Sequence, residues 1–216
     1  MGEGGSKVLT RRIKLAAMVI LLGGFAAGCG GSRPVKYYVL DIGPAPVSSP
    51  TPQVPVTLLV SRVSAAHLYR DDRLVYGSGQ VQLGTYEYER WASPPADLVQ
   101  DVLIKTLRSS GSYRSVSRIG SNLRGDYIVR GQLFALDEVQ SPGLSGRFSF
   151  QLELYDPKAG ATVWSAAYSH DEPVNGKKVS DVVEALDRNV RAGMTQLAGE
   201  LAQYLASHPR EASSGE

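Results

Sequence analysis

Seven apolar residues between Val183 and Leu205 recur at steps of 3, 4, 4, 3, 4 and 4: Val183, Leu186, Val190, Met194, Leu197, Leu201 and Leu205. Such steps stay on one face of a helix with 3.6 residues per turn. Residues 180–206 therefore read as one long amphipathic helix, with Ser180 as its cap and Asp181 at the positive end of its dipole. Each side chain on the stripe gains roughly 1.5–3 kcal/mol by leaving water, so the stripe must be covered. The cover lies upstream. From Arg147 to Tyr155 the chain alternates, with Phe148, Phe150, Leu152 and Leu154 on one face and Ser149, Gln151 and Glu153 on the other. Asp126 to Val139 and Val163 to Tyr168 are strands on either side, the second reached through the turn Asp156-Pro157-Lys158-Ala159-Gly160. Together they read as an antiparallel meander with one apolar face. A helix packed on its own sheet is the simpler reading of the stripe; a coiled-coil partner site is the other.

The N-terminal half is read more coarsely. Tyr37 to Leu40 and Val56 to Val63 are strand candidates, the second with Val56, Leu58 and Val60 on one face. Between them, residues 43–55 hold five prolines and read as an extended loop. Leu74 to Tyr76 and Gln80 to Leu83 are short strands around Gly77-Ser78-Gly79. Ser93 is expected to cap a helix with Pro94 at its first position; Leu98, Val102, Leu103 and Leu107 follow at helical spacing, and Gly111 ends it. The expected fold is α+β in two layers: an antiparallel sheet with two main helices, near 94–109 and 180–206, on one face. The expected division is a leader over 1–28, a tether over 29–36, a single domain over 37–206 and a polar tail over 207–216.

The leader is a sorting signal by its pattern. Lys7, Arg11, Arg12 and Lys14 precede a 13-residue apolar run, Leu15 to Ala27, too short for the roughly 20 residues of a spanning helix. Thr10 to Leu15 faintly resembles a twin-arginine signal, but Lys14 stands where that motif has Phe, so the stretch reads as a plain basic region. Without residues 1–28, the 23 basic and 21 acidic residues become 19 and 20, and the formal charge falls from +2 to −1. The basicity belongs to the leader, and a nucleic-acid partner is not expected. The chain has one cysteine, which excludes an internal disulfide. That cysteine closes Ala26-Ala27-Gly28-Cys29, which resembles a bacterial lipobox with Ala26 in place of the common Leu. The resemblance implies that Cys29 is the lipidation site and the first residue of the mature chain. Gly30, where the enterobacterial sorting rule would have Asp for inner-membrane retention, implies an outer-membrane anchor facing the periplasm. Eight residue steps separate Cys29 from Tyr37, a reach of about 26–29 Å at full extension, which holds the domain close to the bilayer.

No catalytic constellation emerges. The chain has no Gly-x-Ser-x-Gly elbow, phosphate loop or His-x-x-x-His pair, and Gly77-Ser78-Gly79 lacks the further glycine of a dinucleotide loop. His67, His170 and His208 are far apart. Asp71-Asp72 and Asp137-Glu138 are adjacent carboxylates, which on a strand point to opposite faces; both read as solvated turn or strand-end charge. No enzyme activity, no metal and no cofactor beyond a covalent lipid on Cys29 are expected. Tyr86, Tyr88, Arg90 and Trp91 form a segment rich in the residue types that favour interfaces, and are the candidate partner contacts. The alternative is that Trp91 plugs the core beneath the helix while Arg90 pairs with an acid.

Several separated features resemble the ABC-type transport auxiliary lipoproteins. These are the lipobox, the Tyr37-Tyr38-Val39-Leu40 strand, the Val56–Val63 strand, the His67-Leu68-Tyr69 turn, the Leu74-Val75-Tyr76 strand, and Tyr88 before Arg90-Trp91-Ala92-Ser93-Pro94. A meander and long helix close the pattern. Ala65-Ala66 departs from it where a Pro often precedes the Leu-Tyr turn. The resemblance implies an outer-membrane docking subunit of a lipid transport system, with an MCE-domain protein and an ABC permease and ATPase as partners, and a homo-oligomeric ring to match rings of MCE proteins. A lipoprotein assisting assembly or plugging of an outer-membrane β-barrel, and a periplasmic lipid carrier, are the alternative functions.

Overall fold

The computed structural model describes residues 33–40, 54–78, 82–120 and 124–209. The lipobox with Cys29, the tether up to Ser32, most of the proline-rich loop and the end of the tail lie outside them.

The α+β class is borne out, and the sheet differs from expectation in one respect. Among the described residues, nine strands form a single mixed sheet: β1 (Lys36–Tyr38), β2 (Val54–Val60), β3 (Ser64–Ala65), β4 (Arg73–Ser78), β5 (Gln82–Trp91), β6 (Tyr113–Arg118), β7 (Tyr127–Val139), β8 (Ser145–Asp156) and β9 (Ala161–Pro173). The meander β7–β8–β9 is antiparallel as expected, and so is β4–β5. The pairs β1–β5, β2–β6, β2–β7, β3–β7 and β4–β7 are parallel. An all-antiparallel sheet is therefore corrected to a mixed one. Parallel partners come from connections too long for a hairpin: the chain from β2 to its partner β6 runs through β3, β4, β5 and the helix α1 (Pro95–Ser109).

β7 is the hub. Along one edge it carries β8 for nearly its whole length, from Ile128↔Tyr155 to Val139↔Ser145. Along the other edge three strands pair in series: β2 against 127–129, β3 against 132–133 and β4 against 137–139. Beyond β2 lies β6, and beyond β4 lie β5 and then β1.

Both helices contact the sheet and each other. All seven stripe residues of α2 (Val179–Ser207) are buried, against the four buried side chains Phe148, Phe150, Leu152 and Leu154 of β8. The helix lies close because Gly193 has no side chain: a Cβ there would stand 2.6 Å from the Tyr168 ring. Asn189, also buried, donates to the carbonyls of Gly146 (2.9 Å) and His170 (2.7 Å) and accepts from the Tyr168 hydroxyl (2.9 Å), pinning α2 to β8 and β9. The cap falls at Lys178 rather than Ser180. Asp181 accepts from the Lys177 and Lys178 backbone N–H groups, which holds its carboxyl below the usual range. In α1 the cap is displaced too, by one residue, to Pro94, with Pro95 in the first turn. Val99, Val102, Leu103 and Leu107 are buried, and Gly111 takes a positive φ of 63° just past the C-cap.

Candidate functional site

Tyr86 to Trp91 form the last six residues of β5, just before the connection to α1. Trp91 is 0% exposed, so its place among the candidate contacts is corrected: it is core, packed in the cluster that includes α1, as the alternative reading had it. Its backbone N–H donates to the Asp72 carbonyl at 2.6 Å, and the next N–H, of Ala92, donates to the Tyr38 carbonyl at 2.7 Å. Arg90 pairs with Asp72, Nη1 to Oδ1 at 2.7 Å, with both side chains partly exposed. Tyr86 is half-buried and donates to Glu138 Oε2 at 2.8 Å; burial, then this bond to a carboxylate, pushes its hydroxyl above the ordinary tyrosine range. Tyr88 is half-buried. Glu89 accepts from Lys36 Nζ at 3.0 Å and from the Tyr38 hydroxyl at 2.7 Å, and burial with this bond raises the Tyr38 hydroxyl to about 12.

The two adjacent carboxylates of β7 are not solvated, contrary to the sequence reading. Asp137 is 0% exposed and Glu138 nearly so. They do take different partners, as opposite strand faces require. Asp137 meets Arg147 through two bonds, at 2.6 and 3.2 Å, and the Tyr69 hydroxyl at 3.3 Å. Glu138 meets Tyr86 and the Gln140 side-chain amide, the latter at 2.8 Å. Sequence reasoning missed both clusters. A hairpin register would have found the first, because Asp137 and Arg147 are directly opposed across β7 and β8.

The fold brings together two segments that are separate in sequence. His67 of the turn His67–Tyr69 with Arg70 to Asp72, and the connection Ala92 to Pro94 leading into α1, line one open cleft of about 550 Å³. A second cleft, of about 570 Å³, continues past Arg70 and Pro94 to Arg62 and Asp97. Tyr69 is buried and tied to Asp137, so it fixes the turn, whereas His67 and Arg70 are exposed. Among the described residues, no group of three or more His, Cys, Asp or Glu side chains could hold a metal, and no helix is long and apolar enough to cross a membrane. What this region offers is an open surface, more apolar than polar, with paired charges at its rim, the makings of a contact surface.

Comparison with known proteins names the class. The sequence profile of the ABC-type transport auxiliary lipoprotein component matches residues 38–198, and the chain belongs to that family. It is therefore a membrane-anchored accessory of ABC-type transport; the family is one of transport components and not of enzymes, which bears out the expectation that the chain is not a catalyst. Among solved structures, protein XCC0632 from Xanthomonas campestris superposes with a TM-score of 0.70 at 20% identity, covering 80% of this chain and 99% of that one. The hypothetical protein CT253 from Chlamydia trachomatis gives 0.51 at 6% identity, covering 71% and 99%. At these identities the likeness is one of fold. No curated protein matches.

Proposed function

We propose that this protein is the outer-membrane docking subunit of an MCE-type lipid transporter, anchored through acylated Cys29. The observation that carries the reading is the family match over residues 38–198. Three features support it. The lipobox ends on the only cysteine of the chain. Few residues separate that cysteine from the first strand. The turn at His67–Tyr69 and the α1 entry converge on one open surface. The MCE-domain protein is placed on that surface and on the part of β5 beside it, with Arg70 of the cleft and Tyr88 and Arg90 of β5 as contacts, and a ring of copies facing a ring of MCE subunits is part of the same reading.

Affinity capture of the tagged protein from detergent-extracted membranes tests it. MCE and ABC subunits in the captured material are the expected outcome; a β-barrel in their place would favour an assembly or plugging role. At the residue level, Arg70→Ala should weaken binding by about 1 kcal/mol or more if Arg70 anchors the partner, with the melting temperature unchanged. Arg90→Ala also breaks the pair with Asp72, so a loss of binding there counts only if thermal unfolding stays as in the wild type. Wild-type binding by Arg70→Ala, Tyr88→Ala and Arg90→Ala combined would place the partner elsewhere.

A further inference from the structure

We infer that β1 presents an apolar face that lies against the bilayer surface. From Val35 to Leu40 the chain is apolar on both sides, with Lys36 the single exception. A strand apolar on both faces belongs in the interior of a sheet, covered on each side. Here only one side is covered. Tyr38 packs on the core and Leu40 is buried within it. Val35, Tyr37 and Val39, which alternate with them, are 39%, 64% and 60% exposed. Half of the large hydrophobics exposed among the described residues thus fall on one side of a five-residue segment; Leu83, Phe134 and Ile119 stand apart from it in sequence. The face cannot turn inward, because β1 is held in register on β5 from Lys36↔Glu89 to Tyr38↔Trp91, and the Lys36–Glu89 and Tyr38–Glu89 bonds fix its other side.

The length of chain between this face and the anchor selects the occupant. Six residue steps join Cys29 to Val35, so Val35 lies within about 20–22 Å of the acylated residue however the tether runs. The polar headgroup zone of one leaflet is itself about 5–7 Å thick. An apolar strand face tethered that closely meets lipid before it meets a diffusing protein. Tyrosine, with an apolar ring and a polar hydroxyl, suits the depth at which headgroups give way to acyl chains. Arg33 adds, just before the face, a charge that anionic lipid attracts. The role this gives β1 is to fix the orientation of the domain on the membrane, with the tether as the leash and the strand as the foot. It rests on the lipidation of Cys29.

The test uses the full, processed lipoprotein in vesicles of phosphatidylethanolamine and phosphatidylglycerol. Acylation consumes the Cys29 thiol, so Tyr37→Cys, Val39→Cys and Ile119→Cys each carry one thiol for an environment-sensitive fluorophore. Labels at 37 and 39 should shift to the blue and lose emission when brominated lipid replaces ordinary lipid, while the label at 119 should do neither. Wild-type melting of each labelled protein controls for folding. Absence of quenching at both 37 and 39 overturns the inference, whether solvent, the proline-rich loop, a second copy or a partner covers the face. Uptake of label by wild-type protein would show a free Cys29 thiol, and so would overturn the lipidation reading itself, an outcome distinct from an acylated protein with unquenched labels.

Discussion

Three groups meet the fully buried carboxylate of Asp137: two guanidinium nitrogens of Arg147 and the hydroxyl of Tyr69. Burial pushes the Tyr69 hydroxyl above its ordinary range, and the negative charge of Asp137 adds to that rise. The bond to Asp137 in turn raises the Arg147 pKa, so this pair stays charged on the guanidinium side. A buried ion pair is poor evidence of net stability, but removing one partner strands the other without water. Arg147→Ala should therefore cost about 3–5 kcal/mol in chemical denaturation, and Asp137→Ala made in the same chain should recover part of it. A loss below about 1 kcal/mol, the range of exposed pairs, would show that water reaches Asp137. At this scale the sequence was legible where bulk decides and opaque where pairing decides. Trp91 could be read as core from its size and its place before α1. The burial of Asp137 depends on Arg147, Tyr69 and their exact register, which no local pattern announces.

Among the elements, α2 was the most legible, because its stripe repeats over six turns and each of its seven residues is buried. Leu197, at 0% exposure, tests the packing: Leu197→Ala should cost about 2–5 kcal/mol as a core truncation, measured by thermal or urea unfolding. A change below about 0.5 kcal/mol, the range of surface substitutions, would mean that the helix is not seated on β8. Other elements were read short or missed. β6 was missed because only Tyr113 and Val116 of its six residues are buried, so its apolar signal is thin. β9 runs to Pro173, well past Tyr168, because its length is set by the ladder with β8 and not by its own mostly exposed residues. Val54 and Pro55 belong to β2 and not to the proline-rich loop, since Val54 already pairs with Tyr113. The parallel pairings were illegible for one reason: their partners are chosen by tertiary contacts at long sequence separation, whereas the meander is chosen by hairpins.

For the whole molecule, the tyrosines set an alkaline limit. Tyr38, Tyr69, Tyr86, Tyr113 and Tyr168 all have hydroxyl pKa values raised above 10.0, with burial the largest cause in each. A raised folded value means that the unfolded chain gives up its protons first. The stabilisation is complete below the unfolded value of 10.0 and is lost as pH climbs through the folded values, about 12 for Tyr38. The melting temperature should hold up to a pH of about 9.5 and then fall steadily. A melting temperature still constant at a pH of about 11.5 would mean that these hydroxyls ionise freely in the folded state.

The position of β7 late in the chain has a kinetic consequence. β2, β3 and β4 each find a place on β7, and β5 and β1 hang from β4. A ribosome or translocation pore releases the chain from its N-terminus. Until residue 139 has emerged, the strands before β7 have no hub, and until residue 156 has emerged the hub has no second edge partner. Before then only the pairs β1–β5, β2–β6 and β4–β5 can form, with no strand to join them into one sheet and with apolar faces accessible. Pairings of such long separation are slow to form and leave strand edges open to aggregation meanwhile. A fold wired in this way can thread through a narrow pore with at most these partial pairings made, because nothing before residue 127 completes the sheet.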